Sequence, residues 1–201
     1  MEGELPHRKP PLAMTWMRVA ASLALLALAT GSAGCAPAAR PAAFASPAPI
    51  FRPETYFAGR AHSWGALASG SGAPSRHLAV ESFGAKLADG SFRLDQTVNI
   101  DGAKRNRIWI IRRLDNHHYT ATLTDASGLV RAETYGNIFH LKYRMKGKLG
   151  VAMEQWLYLQ ADGRTVLNEA VVSAFGISVA RVSELITRDG PPVGVVPAAT
   201  R

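Results

Sequence analysis

Three Asp-Gly pairs, Asp89-Gly90, Asp101-Gly102 and Asp162-Gly163, each lie between runs in which apolar and polar residues alternate. Asp-Gly suits the two-residue type I′ hairpin turn, which needs positive φ at both central positions. Three such pairs restrict the chain to consecutive antiparallel hairpins. Taking each pair as the turn sets the register by counting outward. Around Asp101-Gly102, Val98 faces Arg105, Gln96 faces Arg107, Leu94 faces Trp109 and Phe92 faces Ile111. The opposite face carries Asn99 with Lys104, Thr97 with Asn106, Asp95 with Ile108 and Arg93 with Ile110. The first face is the more apolar and aromatic, so it is assigned inward. Around Asp162-Gly163 the inward pairs are Leu159 with Val166, Leu157 with Asn168, Gln155 with Ala170 and Met153 with Val172.

The segment 138–148 alternates most cleanly. Phe139, Leu141, Tyr143 and Met145 form one set, and His140, Lys142, Arg144, Lys146 and Lys148 the other. A period of two sends the first set to a core and leaves the second as a basic stripe in solvent. The pattern predicts strands near 60–68, 76–86, 91–100, 104–113, 117–125, 130–135, 138–146, 151–160, 165–174 and 177–187, with no amphipathic helix. Many strands on short connections make an all-β protein, an antiparallel up-and-down barrel or a closed sandwich, in which closure hides the sheet edges.

The N-terminus reads as an address. Arg18 precedes the apolar run Val19–Ala29, and small residues lead from it to Cys35, the only cysteine of the 201-residue chain. A basic flank, a short apolar stretch and a small-residue exit are the parts of a secretion signal. The run is shorter than the roughly 20 apolar residues of a membrane span. Ser32-Ala33-Gly34-Cys35 resembles the bacterial lipobox, with Ser32 where Leu is usual, so Cys35 is the expected lipidation site and membrane anchor. The rival is ordinary signal cleavage after Ala38. The expected organisation is a lipoprotein signal over 1–35, a Pro/Ala-rich linker over 36–53, a barrel domain over 54–188 and a flexible tail over 189–201. The expected location is the bacterial cell envelope. The formal net charge is +8, and removing residues 1–35 leaves +7. The basicity therefore belongs to the mature part and favours anionic partners.

Tyr56-Phe57-Ala58-Gly59 with Ser63-Trp64-Gly65, Arg107-Ile108-Trp109, Gly136-Asn137, the strand Gln155–Gln160, Leu167-Asn168 and Phe175-Gly176-Ile177 resemble a bacterial lipoprotein family known as domain of unknown function thirty-eight thirty-three. The resemblance spans Glu54 to Arg188. It implies a lipocalin-like barrel, a lipoprotein signal and no established activity. Family members are often encoded beside enzymes that modify membrane fatty acyl chains, which the resemblance adds as a hint of a lipid role. The chain departs from the family at Glu154-Gln155-Trp156, where Asp-Asp-Trp is usual, at Ala174, where Lys is usual, and over Ala68–Gly72. Gly59 and Trp64 do not keep the lipocalin Gly-x-Trp spacing.

These features leave three functional readings. In the first, a non-enzymatic barrel binds or presents a lipid-like amphiphile, a fatty acid or phospholipid. Arg107 opposite Gln96, with Trp109 and Leu94 beside them and Gln155 and Asn168 on the second hairpin, would receive its head group. In the second, an accessory lipoprotein docks onto a membrane lipid-modifying enzyme or envelope complex through Lys142, Arg144, Lys146 and Lys148. In the third, Glu154 and Glu169 act as an acid/base pair of a hydrolase, against a solvated outer face carrying Trp156 and Tyr158. No nucleic-acid partner is expected of an exported chain. No cofactor, catalytic motif or metal site is expected, since His117 and His118 are adjacent and point oppositely in a strand. Trp64 is expected to plug the barrel bottom beneath Arg181 or Arg188.

Overall fold

Alternation becomes strand along almost the whole length of the chain described by the computed structural model, which covers residues 40–45, 49–70 and 72–190. Ten strands follow in order: β1 (Gly59–Ser69), β2 (Pro74–Lys86), β3 (Phe92–Ile100), β4 (Ala103–Arg113), β5 (His118–Leu123), β6 (Ala126–Tyr135), β7 (Ile138–Met145), β8 (Val151–Leu159), β9 (Thr165–Ala174) and β10 (Ile177–Arg188). Each pairs antiparallel with its chain neighbours, and β1 also pairs with β10, so the sheet closes into a ten-stranded up-and-down barrel. Closure leaves no strand edge unpaired.

The register expected around Asp101-Gly102 is the observed one, from Phe92 opposite Ile111 to Val98 opposite Arg105. The same holds around Asp162-Gly163, from Leu159 opposite Val166 to Met153 opposite Val172. The turn chemistry differs. Only Asp101-Gly102 has positive φ at both positions, 50° and 90°. Asp89-Gly90 closes a three-residue loop in which Gly90 alone has positive φ, the type I turn with a following left-handed glycine. Asp162 instead accepts hydrogen bonds from the N–H groups of Arg164 and Thr165, both at 2.9 Å, which builds a longer loop in the same register. A second turn with positive φ at both positions joins β9 to β10 through Phe175-Gly176. β6 starts at Ala126, earlier than expected, because its register shift between Ser127 and Arg131 absorbs the Ser127-Gly128 irregularity inside the strand.

Up-and-down order places the loops after β2, β4, β6 and β8 at one end, and those after β1, β3, β5, β7 and β9 at the other. The first end is capped. Phe51, Pro53, Tyr56 and Phe57 are buried there, on and beside the single-turn helix Pro53–Tyr56. Phe51 stacks edge-on against Phe139 at 5.7 Å and Tyr56 at 5.3 Å. The Tyr56 hydroxyl lies 2.9 Å from the carbonyls of both Arg164 and Ile186, to which it can donate. Among the described residues no segment crosses the opposite end.

The cap corrects two expectations. The stretch 36–53 is not wholly a linker: Pro41–Phe44 forms a 3₁₀ turn, Phe44 packs edge-on against Trp156 and Tyr158, and Phe51 is fully buried. Trp64 does not plug the barrel. It is 59% exposed on the outer face, because Ala61 and Ser63 take the inward positions of β1. Tyr56 and its neighbouring phenylalanines fill that end instead, close to Arg188, while Arg181 is exposed. The signal over 1–35, Cys35 and residues 191–201 of the tail lie outside the described residues.

Candidate functional site

The barrel core forms two apolar clusters. One runs from Phe51, Phe92, Tyr119, Phe139 and Ile186 at the capped end along one side of the barrel to Leu123 and Ala126 beside the β5–β6 loop. The other, around Leu78, Val80, Ala170 and Val182, is joined by the half-buried Leu67, Val98, Ile100 and Met153 towards the uncapped end. Polar side chains lie where the inward faces cross mid-barrel. Asn168 (β9), Glu184 (β10), Ser63 (β1), Ser82 (β2), Gln96 (β3) and Arg107 (β4) come from six adjacent strands, and Gln155 on β8 extends the arc. These residues line a cavity of about 50 Å³ whose remaining wall includes Leu94, Trp109, Phe139 and Leu157.

Two hydrogen-bonded groups make up the arc. In the first, Arg107 Nε and Trp109 Nε1 both donate to Gln96 Oε1 at 2.9 Å, and Gln96 Nε2 donates to Ser82 Oγ at 3.0 Å. The guanidinium carbon lies 5.9 Å from the centre of the Trp109 ring, within cation–π range. Tyr143 stands edge-on to Trp109 at 5.7 Å, and burial pushes its hydroxyl up to about 12, opposed by nearby Arg107. Tyr143 is therefore a neutral donor at ordinary pH. Among the described residues Arg107 makes no ion pair with a carboxylate. In the second group, Ser63 Oγ donates to Glu184 Oε1 and Asn168 Nδ2 donates to Glu184 Oε2 at 2.9 Å. Those two donors offset part of the cost of burying a carboxylate. Asn168 Oδ1 is buried without a partner.

All six residues expected to receive a head group, Arg107, Gln96, Trp109, Leu94, Asn168 and Gln155, meet around this one cavity. Ser63, Ser82 and Glu184, which the sequence reading leaves out, line it as well. For Glu184 a signal exists: on β10 it shares the inward period with Val182, Ile186 and Arg188, all buried.

The other candidates lie outside the barrel wall. Glu154 accepts from His140 Nε2 and Lys142 Nζ, each at 2.9 Å, and Glu169 accepts from Ser183 Oγ at 2.9 Å. The two carboxylates thus serve separate contacts on the outer face. The basic stripe is also shorter than expected. His140 is only 8% exposed, packed 4.1 Å from the Trp156 ring and flanked by Glu133 and Glu154, and Lys142 is paired with Glu154. Lys142 is nonetheless exposed, as are Arg144, Lys146 and Lys148. His118 pairs with Asp115 while His117 stacks on Tyr135 at 4.5 Å, so the two rings diverge. No group of metal-ligating side chains assembles among the described residues.

A family described as "Protein of unknown function (DUF3833)" matches residues 29–188. The chain belongs to the DUF3833 family. A search of curated proteins gave no match. Among solved structures, the DUF3833 barrel is similar to the S-type phycobiliprotein lyase CPES from Guillardia theta, at a TM-score of 0.55 and 10% identity, covering 68% of this chain and 90% of the lyase. At that identity the likeness is one of fold alone. The family match begins upstream of the barrel and reaches the last residue of β10, so the DUF3833 unit includes the capping segment that buries Phe51.

Proposed function

We propose that this DUF3833 barrel is an exported, Cys35-anchored lipoprotein of the cell envelope that holds the anionic head group of a fatty acid or phospholipid in its mid-barrel arc. The observation that carries the reading is Arg107: a guanidinium on the inner wall, oriented by Gln96, stacked near Trp109, and paired with no carboxylate among the described residues. A guanidinium so placed keeps N–H donors for a carboxylate or phosphate in fork geometry. The apolar cluster of Leu67, Leu78, Val98, Ile100 and Met153 lies beyond it towards the uncapped end, as an acyl chain requires. The cavity of about 50 Å³ has room for a few water molecules or one small head group. An acyl chain enters only as that cluster parts, which its half-buried side chains can do at lower cost than the fully packed capped end. The neighbour, by its title an S-type phycobiliprotein lyase, shares the fold and points to no particular ligand.

The test is binding of a fluorescent fatty acid and of phosphatidylglycerol to the full chain. Arg107→Ala is expected to weaken binding by at least about tenfold, the loss of one charge-assisted contact. Arg107→Lys restores only part of it. Equal binding by wild type and Arg107→Ala would remove the proposal. Membrane fractionation of Cys35→Ser tests the anchor independently.

A further inference from the structure

The uncapped end carries a surface that the cavity does not use. Leu149 in the β7–β8 loop is 89% exposed, Phe175 in the β9–β10 turn 75%, and Ile177 at the start of β10 71%. These bulky apolar side chains stand on adjoining loops of one rim. Phe175 is held in place: its N–H donates to Gly150 O at 2.9 Å, and its ring lies over Gly150 so closely that a Cβ there would sit 2.5 Å from Cε1. Phe175 itself adopts φ +50°, a conformation unfavourable for a bulky residue, yet its ring is turned outward rather than into the core.

Charge on the same rim is one-sided. Lys104 and Arg105 at the start of β4, and Arg144, Lys146 and Lys148 at the end of β7 and beyond, are all exposed, and none has a carboxylate partner among the described residues. The acidic residues of this end are Asp101, already bonded to Arg76 at 2.8 Å, and Asp125, which has a buried carboxylate oxygen. At the capped end, by contrast, Arg112 pairs with Asp89 and Arg113 with Glu54.

We infer that the uncapped rim is a membrane-docking surface: Leu149, Phe175 and Ile177 enter the headgroup boundary of an anionic phospholipid bilayer while Lys104, Arg105, Arg144, Lys146 and Lys148 lie against its phosphates. Exposed apolar side chains interleaved with unpaired cations are what an anionic interface selects, by burial of the first and attraction of the second. An acidic protein surface would meet the charges but would not call for outward Phe and Leu. The inference is independent of what the cavity holds. It sets the barrel axis across the bilayer plane, mouth down.

The experiment uses the full chain with Cys35→Ser, which removes the one native thiol. A single cysteine, Leu149→Cys at the rim or Leu114→Cys at the capped end, carries an environment-sensitive nitrobenzoxadiazole label. Residues 1–39 are the same in both, so the readout is local. With vesicles of phosphatidylglycerol the Leu149 label should shift to the blue and brighten several-fold, whereas the Leu114 label should not respond. Neutral phosphatidylcholine vesicles should give little change at either. Changing Lys104, Lys146 and Lys148 together to Glu should weaken the Leu149 response to anionic vesicles by roughly a hundredfold in lipid concentration, and Phe175→Asn should weaken it without touching the charges. A silent Leu149 label, an equal response at Leu114, or a response unaffected by the three charge reversals would each overturn the inference.

Discussion

Phe175 shows how one residue can be set against its own backbone. Its left-handed conformation costs roughly 1–2 kcal/mol for an L-residue with a Cβ, and its exposed ring recovers little of that by burial. Asn tolerates this region far better. Phe175→Asn is therefore expected to raise stability by about 1 kcal/mol, read as a higher urea midpoint with unchanged slope, while it weakens vesicle docking. A gain of stability together with a loss of docking distinguishes a residue kept for an interface from one kept for packing. Trp64 makes the complementary point. Its residue type invited a place in the core, but its parity on β1 puts it in solvent.

Single elements were legible where their information is local. The hairpin β3–β4 was readable to the residue because a type I′ turn fixes the pairing of both strands. The Asp162 loop kept its expected register through different chemistry, since the longer loop adds one residue on each side of Asp162-Gly163 and leaves the pairing unchanged. The capping segment was not readable this way. Phe51, Pro53 and Tyr56 sit in a Pro-rich stretch without period, and nothing short-range shows that they return into the barrel. Gly84 on β2 records their arrival: a Cβ there would stand 2.2 Å from Phe57 O and 2.5 Å from the Phe92 ring. Backbone cannot yield as a flexible side chain would, so Gly84→Ala is expected to destabilise the barrel by about 1–3 kcal/mol. Thermal unfolding checks this, and an unchanged midpoint would show that the cap is not seated against β2.

Closure of the whole molecule is tied by a histidine. His62 on β1 bonds Glu81 on β2 at 3.2 Å and Asp189, just past β10, at 2.6 Å. Its pKa is raised above 6.5, first by the Glu81 hydrogen bond and then by that to Asp189. A raised pKa means that folding favours the protonated ring. The contribution is fully present below pH 6.5 and disappears as pH rises through the higher folded-state value. Stability of the wild type should thus fall more between pH 6 and 8 than that of His62→Gln, and the His62 ring proton should titrate above its ordinary value by NMR. Titration at the ordinary value would mean that the seam is held by backbone pairing alone. At the same scale, the charge contrast between the two ends belongs to no strand in particular. It emerges only when closure gathers alternate loops at each rim.

Strand number, inward faces and the pairing of Gln96 with Arg107 were determined by the sequence alone, because alternation and turn chemistry act over a few residues. The family resemblance located the domain for the same reason, through short motifs. Tertiary structure alone decided that Glu184, Ser63 and Ser82 share a level with Arg107, that Tyr56 rather than Trp64 seals the barrel, that Glu154 and Glu169 stay outside, and that the apolar and basic loops share one rim. Each of these depends on closing ten strands into a ring, where the height and stagger of distant strands, not their local pattern, set which side chains meet.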